Sequence, residues 1–202
     1  DQQTADNFID LLEVLRRLRA PGGCPWDREQ TAESLVPYLL EETYEIIEAI
    51  EDGDTETLKE ELGDLTLHIL FQAELTRDAG HFDIADSLKH ISKKLIHRHP
   101  HVFGDLEVDG ADQVVTNWER IKQEERCGKD RQPSVLDGVP KQLPALLRAQ
   151  RIQGKASRVG FDWDEIAGPL AKVEEEFAEL RKAMEVGSAA EVEEEFGDLL
   201  FA

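Results

Sequence analysis

Apolar residues recur along this chain mostly at helical spacing. Between Asp6 and Arg19, Phe8, Leu11, Leu12, Leu15 and Leu18 share one face, and the run Pro21-Gly22-Gly23 ends the segment. A loop is expected from Cys24 to Gln30. Leu39, Leu40, Tyr44, Ile46, Ile47 and Ile50 form a second stripe that Gly53 terminates, and Asp54 or Thr55 is placed to cap the next helix. That helix carries Leu58, Leu62, Leu65 and Ile69 on one face. Beyond Asp64, Leu67, Leu70 and Phe71 make it apolar nearly all round, the pattern of a helix buried in a bundle. A fourth helix fits Ile84 to His97, with Leu88, Ile91 and Leu95 expected inside and Pro100 as its stop. Only Val114 and Val115 suggest strand, and they fit equally well in a short helix running on to Arg126. The expected fold class is all-α, built of helical bundles.

The polar positions are as ordered as the apolar ones. Residues 41–64 hold 11 acids against one base and residues 174–198 hold 10 against two, so these 49 residues carry 18 of the chain's 21 net negative charges. An acidic run is usually a solvated helix face. Here, however, the two windows are copies. A shift of 134 places Glu41, Glu42 and Glu45 on Glu175, Glu176 and Glu179, and Glu61, Gly63 and Asp64 on Glu195, Gly197 and Asp198, with ten of 24 positions identical. One inserted residue upstream brings Trp26-Asp27 onto Phe161-Asp162. The chain is therefore read as a tandem duplication. The first repeat is expected over 1–126, a linker over 127–145 punctuated by Gly128, Pro133, Gly138, Pro140 and Pro144, and the second repeat over 146–202. The second copy stops four residues after Asp198 and is expected to be incomplete, with weak catalysis in this chain as the consequence.

Composition narrows the function. A formal charge of −21 in 202 residues opposes binding to nucleic acid or to an anionic membrane surface. The longest apolar stretch, Leu65 to Phe71, is interrupted by Thr66 and His68 and is far shorter than the roughly 18 residues of a membrane span. No Lys/Arg-led apolar segment opens the chain at Asp1, so no secretory signal is expected. Cys24 and Cys127 stand far apart, which points to a reducing, cytoplasmic setting without a disulfide framework.

Residues three apart on a helix project to nearly the same side, so Glu42 with Glu45 and Glu61 with Asp64 each present two carboxylates together. Two helices folded back at Gly53 bring the pairs face to face. Four carboxylates beside apolar turns repel and lose hydration, at several kcal/mol per uncompensated ion, on the order of what a bound cation removes. All-oxygen ligands suit Mg2+ or Mn2+. A di-iron bundle would use Glu-x-x-His, and Asp occupies that place in both copies. A calcium loop from Asp52 fails because its sixth residue is Thr57 and its twelfth is Gly63.

The pattern E-E-x-x-E followed by E-x-x-D resembles the MazG family of all-α nucleoside triphosphate pyrophosphohydrolases, in its tandem-domain form. Cys24-Pro25-Trp26-Asp27, Leu40-Glu41-Glu42-Thr43-Tyr44-Glu45, Glu61-Leu62-Gly63-Asp64, Arg98-His99-Pro100-His101-Val102-Phe103, Leu143-Pro144-Ala145-Leu146 and Val159-Gly160-Phe161-Asp162-Trp163 carry the resemblance along nearly the whole chain. It implies hydrolysis of a nucleoside triphosphate to the monophosphate and pyrophosphate, dependence on Mg2+, a homodimer and a cytoplasmic role. It also implies Glu42, Glu45, Glu61 and Asp64 as metal ligands in the first repeat, and Glu176, Glu179, Glu195 and Asp198 in the second, with Glu41 and Glu175 in support. Lys94 and Arg98 resemble the family's phosphate-facing basic pair. Lys172, four residues before Glu176, also fits the family pattern, whereas Tyr38 stands at that place in the first repeat. Catalysis is accordingly expected from Glu176, Glu179, Glu195, Asp198 and Lys172.

Other motifs weigh less. Trp26, Phe161 and Trp163 could stack on a nucleobase, although aromatics beside Pro or Gly turns more often plug a small core. His97, His99 and His101 alternate without a fourth zinc ligand at matching spacing. There is no phosphate-binding glycine loop and neither cysteine has a visible catalytic partner. Two alternatives stand beside the leading one: a non-catalytic helical module for metal binding or dimerisation, and a pyrimidine-specific dUTP or dCTP hydrolase of the same superfamily. A mere interaction module would not need Lys94, Arg98 and Lys172 beside the carboxylates.

Overall fold

A computed structural model describes residues 1–127 and 134–202. Among these residues the ordered elements are ten α-helices and no strand. They are α1 (Gln2–Arg19), α2 (Pro25–Glu29), α3 (Val36–Asp52), α4 (Thr55–Asp78), α5 (Ile84–Arg98), α6 (Pro100–Phe103), α7 (Ala111–Cys127), α8 (Ala145–Ser157), α9 (Ala167–Val186) and α10 (Ala189–Phe201). Two compact units are present, 1–114 and 115–202. Gly128 and Pro133 of the expected linker lie outside the described residues. No helix among the described residues is long and apolar enough to cross a membrane.

The first unit is held by a core at one end. Leu12 and Leu15 of α1, Leu35, Leu70, Phe71 and Ala73 of α4, and Ile84 at the start of α5 form one buried cluster. Each fully buried leucine contributes about 1.5–3 kcal/mol. Beside this cluster Glu74 is wholly buried, and Arg16 grips it with two hydrogen bonds of 2.9 and 3.1 Å. Arg77 pairs with it at 2.5 Å. Arg19 bonds Asp78 at 2.9 Å and lies over the Phe71 ring. Apolar burial and ion pairs thus clamp α1 onto the C-terminal half of α4. The N-terminal half of α4 is left to pair with α3.

Two expectations differ from the structure. The segment expected as a loop contains α2, because Pro25 at its first turn has its φ already set for a helix. Five residues are too few to show periodicity. Leu88, Ile91 and Leu95, expected inside, are exposed on α5, as are Leu40, Tyr44, Ile47 and Ile50 on α3. Helical spacing locates an apolar face but cannot say that the same chain covers it. Val114 and Val115, which the sequence left open between strand and helix, are helical, within α7.

The second unit repeats the α3–α4 arrangement as α9 and α10, which pack on each other, with α8 against α10. Leu180 and Ala183 of α9 are buried. Ser188 and Glu191 form a capping box that starts α10.

Candidate metal centre

In the first repeat the turn between α3 and α4 is set by local chemistry. Gly53 adopts φ 68°, a left-handed conformation that glycine enters without a Cβ clash. Asp54 then caps α4, its carboxylate accepting from the Glu56 and Thr57 amides at 3.0 and 3.1 Å. Ala49, 3% exposed, sits between the helices and lets them approach closely. As a result carboxylate oxygens of Glu42, Glu45 and Glu61 all lie within 4.8 Å of one another. Asp64 is not in this tight group, but its charge acts on both Glu42 and Glu61. An open cleft of about 210 Å³ adjoins the group, lined by Glu45, Glu48, Ala49, Asp52, Asp54, Thr57 and Glu61.

The electrostatics carry the strain expected of such a group. Burial, then the charges of Asp64 and Glu45, push the Glu42 carboxyl above the usual glutamate range. Burial, then Glu45, Glu42 and Asp64, do the same to Glu61. Acids that hold their protons more tightly because of one another are the natural seat of a cation. Their all-oxygen donor set could hold a hard divalent ion.

His68, one turn beyond Asp64, is a feature that apolar periodicity passes over. Its Nε2 lies 3.6 Å from Glu42 Oε1, and both side chains are largely buried, at 12% and 16% exposure. Its Nδ1 is buried with no hydrogen-bond partner, and burial lowers its proton affinity. The ring stacks against Tyr38, with centroids 6.2 Å apart and planes 4° from parallel. Trp26 meets Tyr38 edge-on at 6.0 Å. The available signal was the i, i+4 spacing from Asp64 to His68, the same spacing that singled out Tyr38 before Glu42.

The second repeat assembles the same group. Glu176, Glu179 and Glu195 have carboxylate oxygens within 4.8 Å of one another, and Glu176 is buried. Burial, then Glu179, Glu176, Asp198 and Glu194, push the Glu195 carboxyl up. Lys172 reaches back along α9 to Glu176 at 2.5 Å and Glu175 at 3.1 Å, and these two acids hold its ammonium above the usual lysine range. The turn differs from that of the first repeat: Gly187 has φ −90° and ψ 172°, and a Cβ there would meet the Ala183 carbonyl oxygen at 2.7 Å.

The remaining sequence candidates are placed as follows. Lys94 and Arg98 are half-buried in the last turns of α5. Phe161 is 82% exposed, and Trp163 lies against Gly168 at the start of α9. His99 Nδ1 lies 2.6 Å from the Leu95 carbonyl oxygen, its ring beside that of His101, and no group of metal ligands among the described residues includes these histidines. Cys24 is a free thiol.

Comparison with known proteins supplies the family. The model of the MazG nucleotide pyrophosphohydrolase domain matches residues 30–103, the span that contains both carboxylate pairs of the first repeat. A nucleoside triphosphate pyrophosphohydrolase of Escherichia coli is 48% identical over 200 residues, covering 97% of this chain and 76% of that protein. The nucleoside triphosphate pyrophosphohydrolase/pyrophosphatase MazG of Thermotoga maritima is 47% identical over 195 residues, covering 96% of this chain and 73% of its own length. The crystal structure of a mazG-related protein from Thermotoga maritima is 31% identical, with a TM-score of 0.48 over 56% of this chain and 97% of that chain. Nearly half of all positions are shared with these curated relatives along almost the whole chain, and with them it belongs to the MazG nucleotide pyrophosphohydrolase family.

Proposed function

We propose that the chain catalyses Mg2+-dependent hydrolysis of nucleoside triphosphates to nucleoside monophosphate and pyrophosphate, and that the second repeat carries the chemistry. The observation that supports this reading most is the convergence, in both repeats, of three glutamates from two helices within 4.8 Å. In this reading Glu42, Glu45, Glu61 and Asp64 hold metal in the first repeat, and Glu176, Glu179, Glu195 and Asp198 in the second. Mn2+ would serve in the same all-oxygen set. Bound Mg2+ supplies positive charge for a phosphoryl oxygen and lowers the pKa of water. The residues of the chain do the rest. The carboxylates fix where the triphosphate enters an otherwise repulsive surface. Lys172, beside Glu176, turns to a phosphoryl oxygen as negative charge develops there. Water adds, the bond between the α- and β-phosphate groups breaks, and pyrophosphate leaves.

Lys94 and Arg98 belong to the basic, phosphate-facing side of the first site, while Trp26, Phe161 and Trp163 are base contacts in this reading. The exposed stripes on α3 and α5 support a homodimer, since Leu40, Tyr44, Ile47, Ile50, Leu88, Ile91 and Leu95 leave an apolar face uncovered. The deciding experiment incubates each nucleoside triphosphate with Mg2+ and identifies the phosphate product. Pyrophosphate is expected, and orthophosphate would refute the reading. Glu176→Gln should lose most of the activity and Glu42→Gln little. The reverse order would assign the chemistry to the first repeat.

A further inference from the structure

Each repeat sets a nitrogen against the first carboxylate of its acidic group, and the two repeats take that nitrogen from different elements. In the second repeat it is Nζ of Lys172, 2.5 Å from Glu176. In the first repeat Tyr38 occupies the lysine position, and the nitrogen near the equivalent Glu42 is Nε2 of His68, at 3.6 Å. The 134-residue shift that superposes the acids places His68 on Ala202, which has no such group. The two differences are physically linked, because Tyr38 stacks in parallel on His68 and so fixes the ring. The imidazole is also kept where it has no other polar use: Nδ1 is buried without a partner, a loss on the order of 1–3 kcal/mol that an apolar side chain would avoid.

We propose that His68 is a positioning residue of the first metal site: its Nε2–H, aimed by Tyr38, holds the Glu42 carboxylate in its ligating orientation and takes the place of the Lys172–Glu176 pair. At 3.6 Å the two atoms stand about 0.6 Å beyond the commonest N–H···O length, so the proposed bond forms when the carboxylate turns toward the ring to ligate. Losing a hydrogen bond that orients a metal ligand typically costs about 10–100-fold in metal affinity. The inference rests on the reading of the acidic group as a metal site.

The test uses the whole 202-residue chain with its second site disabled by Glu176→Gln and Glu195→Gln, and measures Mn2+ binding by paramagnetic resonance. His68→Leu, which removes the donor but fills the space, should weaken Mn2+ binding about tenfold, in line with the usual effect of losing such a partner. In EDTA its melting temperature should be unchanged or higher. His68→Gln, which restores a donor, should recover binding to within about threefold, on the scale of one neutral hydrogen bond. Equal Mn2+ affinity in His68→Leu and the parent overturns the proposal, as does a His68→Gln variant as weak as His68→Leu. Should His68→Leu fail to fold, Tyr38→Ala takes its place: weakened binding is expected, and unchanged binding overturns the proposal. Absence of Mn2+ binding in the parent itself overturns the metal reading beneath it, a result distinct from these.

Discussion

The carboxyls of Glu42 and Glu61 hold protons more tightly than isolated glutamates because the fold buries them and crowds them with other acids. A folded-state value above the unfolded one means that the folded protein binds more protons in the window just above the ordinary glutamate range. Stability from these groups is therefore lost as pH rises through that window. His68 acts in the opposite sense, its lowered value removing stability as pH falls below the ordinary histidine range. The difference between wild type and a Glu42→Gln/Glu61→Gln variant in EDTA isolates the glutamates. At neutral pH the variant should melt higher, and the gap should close as pH falls toward the glutamate range. A gap that does not change with pH would contradict mutual repulsion. At this scale the clustering of the glutamates was legible because i, i+3 carboxylates repeat at a fixed offset of 134. The near-contact of His68 with Glu42 was not, because it depends on how far α3 and α4 are turned about their axes, which spacing within one helix cannot give.

At the scale of elements, the helices were read from apolar stripes and from the glycine and proline residues that bound them, and α3, α4 and α5 lie close to where those signals placed them. The five residues of α2 escaped because Pro25 helps to start a helix as readily as it marks a loop. The two interhelical turns show the same limit. Gly53 and Gly187 are equivalent in sequence, yet one is left-handed and the other extended. Their substitutions should diverge. Gly53→Asn should cost less than about 1 kcal/mol, since asparagine enters the left-handed region more easily than other side chains. Gly187→Asn should cost about 2 kcal/mol or more, because its Cβ meets the Ala183 carbonyl oxygen. Thermal melts of the two single variants compare them directly, and equal losses would mean that the two turns share one backbone.

At the scale of the whole molecule, the all-α class was readable from apolar stripes at helical spacing, and the family from the spaced acidic motifs and the Trp-, Pro- and His-bearing segments around them. What covers the exposed stripes was not, since periodicity does not distinguish a face buried by the same chain from one buried by a second copy. If a second copy covers α3 and α5, Ile47→Asp should lower the mass measured by light scattering at micromolar concentration from that of a dimer to that of a monomer. A monomeric wild type would refute that assembly. Gly63 and Gly197 stand mid-helix between two acids of each site, and a Cβ at either would meet nothing within 4 Å. Each gives up about 1 kcal/mol of helix stability relative to alanine with no packing reason inside its own chain. Alanine at either position should therefore stabilise its helix, and would do so by filling space beside the clustered carboxylates.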